Sequence, residues 1–145
     1  MQVPKSALII LIIAVCLVSY FNTLFFNFVC DDHSLIVDNP YIRSFKFLPL
    51  FFTHDFWNIS IMAISSGYYR PLLGASFMFD YALWRYNPFG YHLTNLIFHI
   101  LVTILVFLLI ERLFKNRVIA FTSALLFSVH PIHTEAVSFI CGRVD

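Results

Sequence analysis

The sequence has 145 residues, 60% of them hydrophobic and 12% charged, with a formal net charge of +1. A typical soluble domain carries about 25% charged and about 45–50% apolar residues, so this composition belongs to the membrane class. The near-zero charge gives no basic footprint for nucleic acid, and three cysteines, Cys16, Cys30 and Cys141, give no readable disulfide framework.

The first predicted span is residues 7–28, ALIILIIAVCLVSYFNTLFFNF, with no charge over roughly 22 residues. A helix needs about 20 residues to cross the hydrocarbon. A cleaved signal peptide is the rival reading, but the apolar run exceeds the usual ~7–15 residues and no small-x-small site follows. Residues 29–90 form a long loop rich in aromatics, including FKFLPLFF, GYYRPLLG and MFDYALWRY. Disordered segments are poor in such residues, so the loop is expected to be ordered. Within it, Ser44 to Phe52 and Pro71 to Tyr86 are predicted as short helices lying along the membrane surface. In the second, Leu72, Ser76, Phe79 and Leu83 share a face, with Leu73, Phe77 and Tyr81 nearby, so the apolar arc is wide.

The second predicted span is residues 91–110, YHLTNLIFHILVTILVFLLI, again without Asp, Glu, Lys or Arg. The third covers residues 118–141. Its apolar part before His130 is only about 12 residues, about 18 Å of helix, and Pro131 is expected to end or kink it. The link at residues 111–117, ERLFKNR, concentrates Arg112, Lys115 and Arg117. By the positive-inside rule this loop and the N-terminus are cytoplasmic, and the long loop lies outside.

Three polar clusters then fall on the outer side: Asp31-Asp32-His33, Tyr68-Tyr69-Arg70-Pro71, and His130-Pro131-Ile132-His133-Thr134-Glu135. Ionisable groups at membrane depth are costly and are functional candidates. Adjacent carboxylates such as Asp31 and Asp32 repel, which can poise one as a general base, and the pair can also hold a divalent cation. The plainer reading is a solvated turn. Arg70 suits a bidentate phosphate clamp or, equally, an anchor for a surface helix beginning at Pro71. His130, His133 and Glu135 suit a zinc site, the lining of a substrate cavity, or a cap in which Thr134 starts the next helix. Asn58-Ile59-Ser60 fits a glycosylation acceptor, a frequent chance match.

Taken together, DDHSLIVDNPYI, YYRPL, SFMFDYALW, NPFGYHLTNLIFHILV and LLFSVHPIHTEAVSFICGRVD resemble the N-terminal membrane part of multispanning proteins with C-terminal tetratricopeptide repeats. In animals these are transmembrane O-mannosyltransferases acting on cadherins, and bacterial relatives exist. That family is in turn similar to the C-type glycosyltransferases, helical membrane enzymes that take a sugar from a polyprenyl-phosphate carrier. The resemblance implies an all-α membrane fold. It makes residues 1–145 the N-terminal fragment of one larger membrane domain, with about three spans. It implies Asp31 or Asp32 as catalytic base, or as ligand of a divalent metal ion in metal-dependent branches. It implies Arg70, beside Tyr69, at the carrier phosphate, and His130, His133 and Glu135 around the carrier or acceptor site.

The implied reaction moves a sugar, mannose by analogy, to a hydroxyl of a protein or glycan acceptor at the outer face of the bilayer. The implied location is multi-pass, in a bacterial inner membrane or, in a eukaryote, the endoplasmic reticulum. The compact loop favours a bacterial source. A truncated, inactive fragment or a non-enzymatic membrane scaffold is the competing expectation. A transporter fragment would place charges within the spans, and spans one and two have none.

Overall fold

In the computed structural model, residues 3–60 and 67–144 are described. Residues 61–66 of the predicted outer loop, and Asp145, lie outside the described residues. The described residues are helical or irregular, with no strand among them.

Helix α1, Lys5–Tyr20, runs on through a tighter 3-10 turn, Phe21–Phe25. The combined stretch of 21 residues has a mean hydropathy of 2.5. Helices α2 (Leu48–Phe51) and α3 (Pro71–Trp84) lie in the long connection. Helix α4, Pro88–Phe114, has 27 residues and a mean hydropathy of 2.6. At about 1.5 Å per residue it exceeds the ~30 Å of a bilayer core. These two helices are long and apolar enough to cross a membrane.

Helix ends follow local chemistry. The Asn87 side chain accepts from the Phe89 N–H at 3.2 Å, and Pro88 occupies the first turn, where its missing N–H costs nothing. Lys115 closes α4 in the left-handed region at φ 51°. Asn116 then caps α5 (Arg117–Val129), accepting from Val118 and Ile119 N–H. Two residues therefore suffice to reverse the chain between α4 and α5.

The third predicted span is not one helix. Helix α5 stops at Val129, His130 turns extended at φ −67° and ψ 129°, and α6 covers His133–Ser138. Pro131 is the cause: its ring excludes the helical conformation from the residue before it. The 13 residues of α5 span about 20 Å, short of a bilayer core. Thr134 is not a cap. It lies inside α6, whose N-cap position is Ile132 and has no side-chain cap.

α1, α4 and α5 pack together around Ile12, Cys16, Phe107, Ala120 and Ala124, all fully buried. The two alanines, one turn apart, let backbones approach as small residues do in membrane bundles. Cys16 Sγ lies 3.9 Å from Thr103 Oγ1, and the His99 ring meets the Ser128 carbonyl at 3.1 Å. At one end of this bundle Glu111 pairs with Lys5 at 2.5 Å and with Arg117 at 3.0 Å. The N-terminal lysine and the basic link therefore share an end.

The opposite end carries a second core of Leu35, Ile36, Ile42, Phe51, Phe56, Phe77 and Tyr91, among others. The predicted wide arc of α3 is split. Leu73, Phe77, Met78 and Tyr81 are buried, while Leu72, Phe79 and Leu83 are more than 60% exposed. A helix apolar on all sides must be covered on several. Gly90 permits the tightest approach, since a Cβ there would overlap the Trp84 ring.

Arg143 ties this end together. It pairs with Asp80 at 2.6 Å, and both side chains are under 10% exposed. Its Nε donates to Asn95 Oδ1 at 2.6 Å, one terminal nitrogen to Ser76 Oγ at 2.8 Å, the other to the Tyr91 carbonyl at 3.3 Å. Thr94 donates to Asp80 at 2.7 Å. Burial pushes the Asp80 carboxyl above its ordinary range, while Arg143 and Thr94 pull it back.

Arg143→Met leaves a buried carboxylate unpaired and is expected to cost about 3–5 kcal/mol. Without its cation Asp80 sits higher still, so the protonated form is favoured in the fold. Stability of the variant should then be greater at acid pH and fall as pH rises through the Asp80 pKa. Thermal unfolding in detergent between pH 5 and pH 8 checks this, and the added Asp80→Leu change should recover most of the loss. By the same assay Gly90→Ala should cost about 1–3 kcal/mol through overpacking against Trp84.

Candidate functional site

After α1 the chain passes through extended Phe26 and a turn at Cys30, which takes φ 47°. That turn places Asp31 and Asp32 in opposite environments. Asp32 is fully buried. Its Oδ2 accepts from the Val29 N–H and its Oδ1 from the Cys141 N–H, both at 3.0 Å. The Asp32 N–H in turn donates to the Val29 carbonyl. Asp31 is exposed. The two carboxylates are therefore unequal: Asp32 is tied to two backbone donors, and Asp31 is open to solvent.

Asp31 opens on a cavity of about 280 Å³ whose lining includes Trp57, Tyr68, Arg70, Glu135 and Phe139. Three side chains from the three predicted clusters thus meet: Asp31 from the turn after α1, Arg70 from the N-terminus of α3, and Glu135 from α6. They are brought there by specific packing. Asp32 fixes the turn, Pro71 starts α3 directly after Arg70, and the break at Pro131 swings α6 back over the bundle end.

Arg70 is half-buried, with its guanidinium 4.7 Å from the Tyr68 ring centroid, and makes no ion pair among the described residues. It also borders a second cavity of about 510 Å³, shared with Tyr69, Leu72, Phe98 and Arg143. The Tyr69 hydroxyl donates to the Phe52 carbonyl at 3.0 Å, which holds the segment before α3 against the loop. Arg70 so stands between a carboxylate-lined cavity and an apolar-walled one.

His130 and His133 line neither of these cavities. His130 Nδ1 accepts from the Ile132 N–H at 3.2 Å, capping the turn at Pro131. The His133 ring packs on Phe127 at 4.1 Å and lies 5.5 Å from His99. Burial and then the nearby His130 hold its pKa below the usual imidazole range. The neutral form of the ring, packed on Phe127, is thereby favoured. Among the described residues no three His, Cys, Asp or Glu side chains converge as a metal-binding group. Cys141 is buried beside Asp32, and burial pushes its thiol far up, so it is no nucleophile.

Arg143 was not singled out as a site residue from sequence, yet it walls the larger cavity. A lone Gly-Arg pair has no local signature. The usable signal was Asp80, a carboxylate inside an otherwise apolar helix that demands a buried cation.

No family model matches the chain, and no solved structure does. It is 41% identical to protein O-mannosyl-transferase TMTC3 of Mus musculus over 142 residues, 97% of this chain and 15% of that protein. It is 44% identical to protein O-mannosyl-transferase TMTC1 of Homo sapiens over 147 residues, 98% of this chain and 16% of that protein. Protein O-mannosyl-transferase F38B6.6 of Caenorhabditis elegans matches at 36% over 141 residues, 94% and 20% respectively. These relatives are animal proteins, so the bacterial source expected from the compact loop finds no support among them. The chain spans about a sixth of the length of the first two relatives, and over nearly all of its own length its homologues are O-mannosyltransferases.

Proposed function

We propose that this chain forms the reaction end of a membrane glycosyltransferase that moves a sugar, mannose, from a polyprenyl-phosphate carrier to an acceptor hydroxyl. The observation that carries the reading is the single cavity joining Asp31, Arg70 and Glu135 at one end of an apolar bundle. The similarity to named protein O-mannosyl-transferases supports sugar transfer and a protein acceptor.

α1 and α4 cross the bilayer. Their outward faces are apolar, including Ile10, Val18, Leu101, Leu105 and Leu109, and suit lipid. The basic link lies in the cytoplasm and the cavity on the opposite side, the lumen of the endoplasmic reticulum. The carrier chain lies along the apolar-walled cavity beside Leu72 and Phe98, with its phosphate at Arg70. Asp31, the accessible carboxylate of the pair, takes the proton of the acceptor hydroxyl. The acceptor oxygen attacks the anomeric carbon, the bond to the carrier phosphate breaks, and Arg70 stabilises the phosphate that leaves. Asp32 does no chemistry in this scheme; it positions Asp31 by fixing the turn. Glu135 faces the sugar. His130 and His133 support the turn that delivers Glu135.

The test uses the longest natural chain containing this sequence, purified in detergent and given radiolabelled polyprenyl-phosphate-mannose with an acceptor protein. Asp31→Asn should lower kcat by at least about 100-fold with an unchanged thermal midpoint. Asp32→Asn should instead lower the midpoint by loss of a buried acceptor, with activity falling in proportion to folded protein. Arg70→Ala should raise KM for the carrier and lower kcat together. Equal turnover by wild type and Asp31→Asn would remove the base assignment. Specific acceptor binding without any turnover would instead establish the scaffold reading.

A further inference from the structure

The end of the bundle remote from Asp31 holds a larger groove, of about 850 Å³, that sugar transfer does not use. Its lining includes Val3, Leu8, Glu111, Lys115, Arg117 and Phe121. Two kinds of surface meet there. One is cationic: among the described residues Lys5, Arg112, Lys115 and Arg117 share this end with the single carboxylate Glu111. Glu111 is already engaged by Lys5 and Arg117, whereas Lys115 is exposed and makes no ion pair among the described residues. The other is apolar. The groove wall continues into Val3, Leu113, Phe114 and Val118, which are 55–72% exposed.

We propose that this groove binds an anionic phospholipid of the cytoplasmic leaflet. The headgroup phosphate lies at Lys115 and Arg117, and an acyl chain runs along Leu8, Val118 and Phe121. The pairing of surfaces selects this occupant. A free anion in water has no use for the apolar walls, and a wholly apolar partner strands the cations in a dry contact. Basic pockets between membrane helices on the cytoplasmic side take acidic headgroups for the same reason. The left-handed turn at Lys115 holds the cation at the helix end, where the negative pole of α4 is offset by it and by Arg112. The inference rests on the membrane placement proposed above and not on its chemistry, so loss of turnover in Asp31→Asn leaves it untouched.

The longest natural chain containing this sequence, in mild detergent, is titrated with phosphatidylserine or phosphatidylcholine of matched chains, and retained lipid is read by native mass spectrometry. Phosphatidylserine should be retained at least about fivefold better, and Lys115→Gln should reduce its retention about fivefold, the cation in contact with the headgroup being removed. Phe121→Trp, which fills the groove without changing charge, should also reduce retention. Arg112→Gln, outside the groove lining, should not. Equal retention of the two lipids overturns the proposal; it is also what another protein segment seated in the groove would produce. Displacement of phosphatidylserine by inorganic phosphate at equal concentration overturns it too, leaving a plain anion site. If Lys115→Gln and Phe121→Trp keep full retention while their thermal midpoints match wild type, the site is wrong.

Discussion

The buried carboxylate of Asp32 reaches Cys141, 109 residues further along the chain, because its oxygens take the Val29 and Cys141 N–H groups. A carboxylate without solvent must find donors of this kind, and backbone N–H groups at a turn are the cheapest ones. Once those bonds form, the chain leaving α1 and the chain following α6 are fixed together. Everything at that end depends on this: the exposure of Asp31, the approach of Glu135, and the placement of Cys141 and Arg143. The adjacent pair is thus one structural acid and one accessible acid, made different by a single residue's shift along a turn.

Arg143 acts as the second tie, and the two are close in the chain. Its guanidinium pairs with Asp80 while donating to Asn95, Ser76 and the Tyr91 carbonyl, and lies against the faces of Phe77 and Phe98. A planar fork can do this where an ammonium cannot. The arrangement binds α3 and α4 to the segment after α6, beside the core built on Leu35, Ile36, Phe51, Phe77 and Tyr91. Polar ties set geometry at this end; close packing of small residues sets it along α1, α4 and α5.

The parts legible in the sequence were those with local causes. Charge-free runs announced α1 and α4, because length and hydropathy alone decide them, although α4 proved longer at both ends through the Asn87 cap and the Lys115 turn. Pro131 announced the end of α5. Within the described part of the aromatic loop, α3 begins where Pro71 starts it. What stayed hidden depended on partners far away. Nothing in the dipeptide Asp31-Asp32 says which acid is buried, as Cys141 decides it. Thr134 offered the right side chain for a cap, yet the turn at His130 and Pro131 begins α6 two residues sooner, with Ile132 at the N-cap position. The histidines resembled ligands by spacing, but Phe127 and His99 absorb His133 into packing. Topology put the three clusters on one side, but nothing local says that Glu135, rather than the histidines, lines the cavity with Asp31 and Arg70.

Under the proposed reading, the charge balance of the cavity carries mechanistic content. Two carboxylates and one guanidinium line it, an excess of one negative charge. A carrier phosphate adds another, which the cavity tolerates only with the phosphate on the Arg70 side and the carboxylates on the sugar side. That orientation places Asp31 and Glu135 around the anomeric carbon, where glycosyl transfer develops positive charge in its transition state. The same charges that disfavour a phosphate deep in the cavity therefore favour the transition state, and Arg70 retains the leaving group at the boundary. Position along the cavity, set by Arg70 at its edge, converts a net repulsion into selective stabilisation of the reacting geometry.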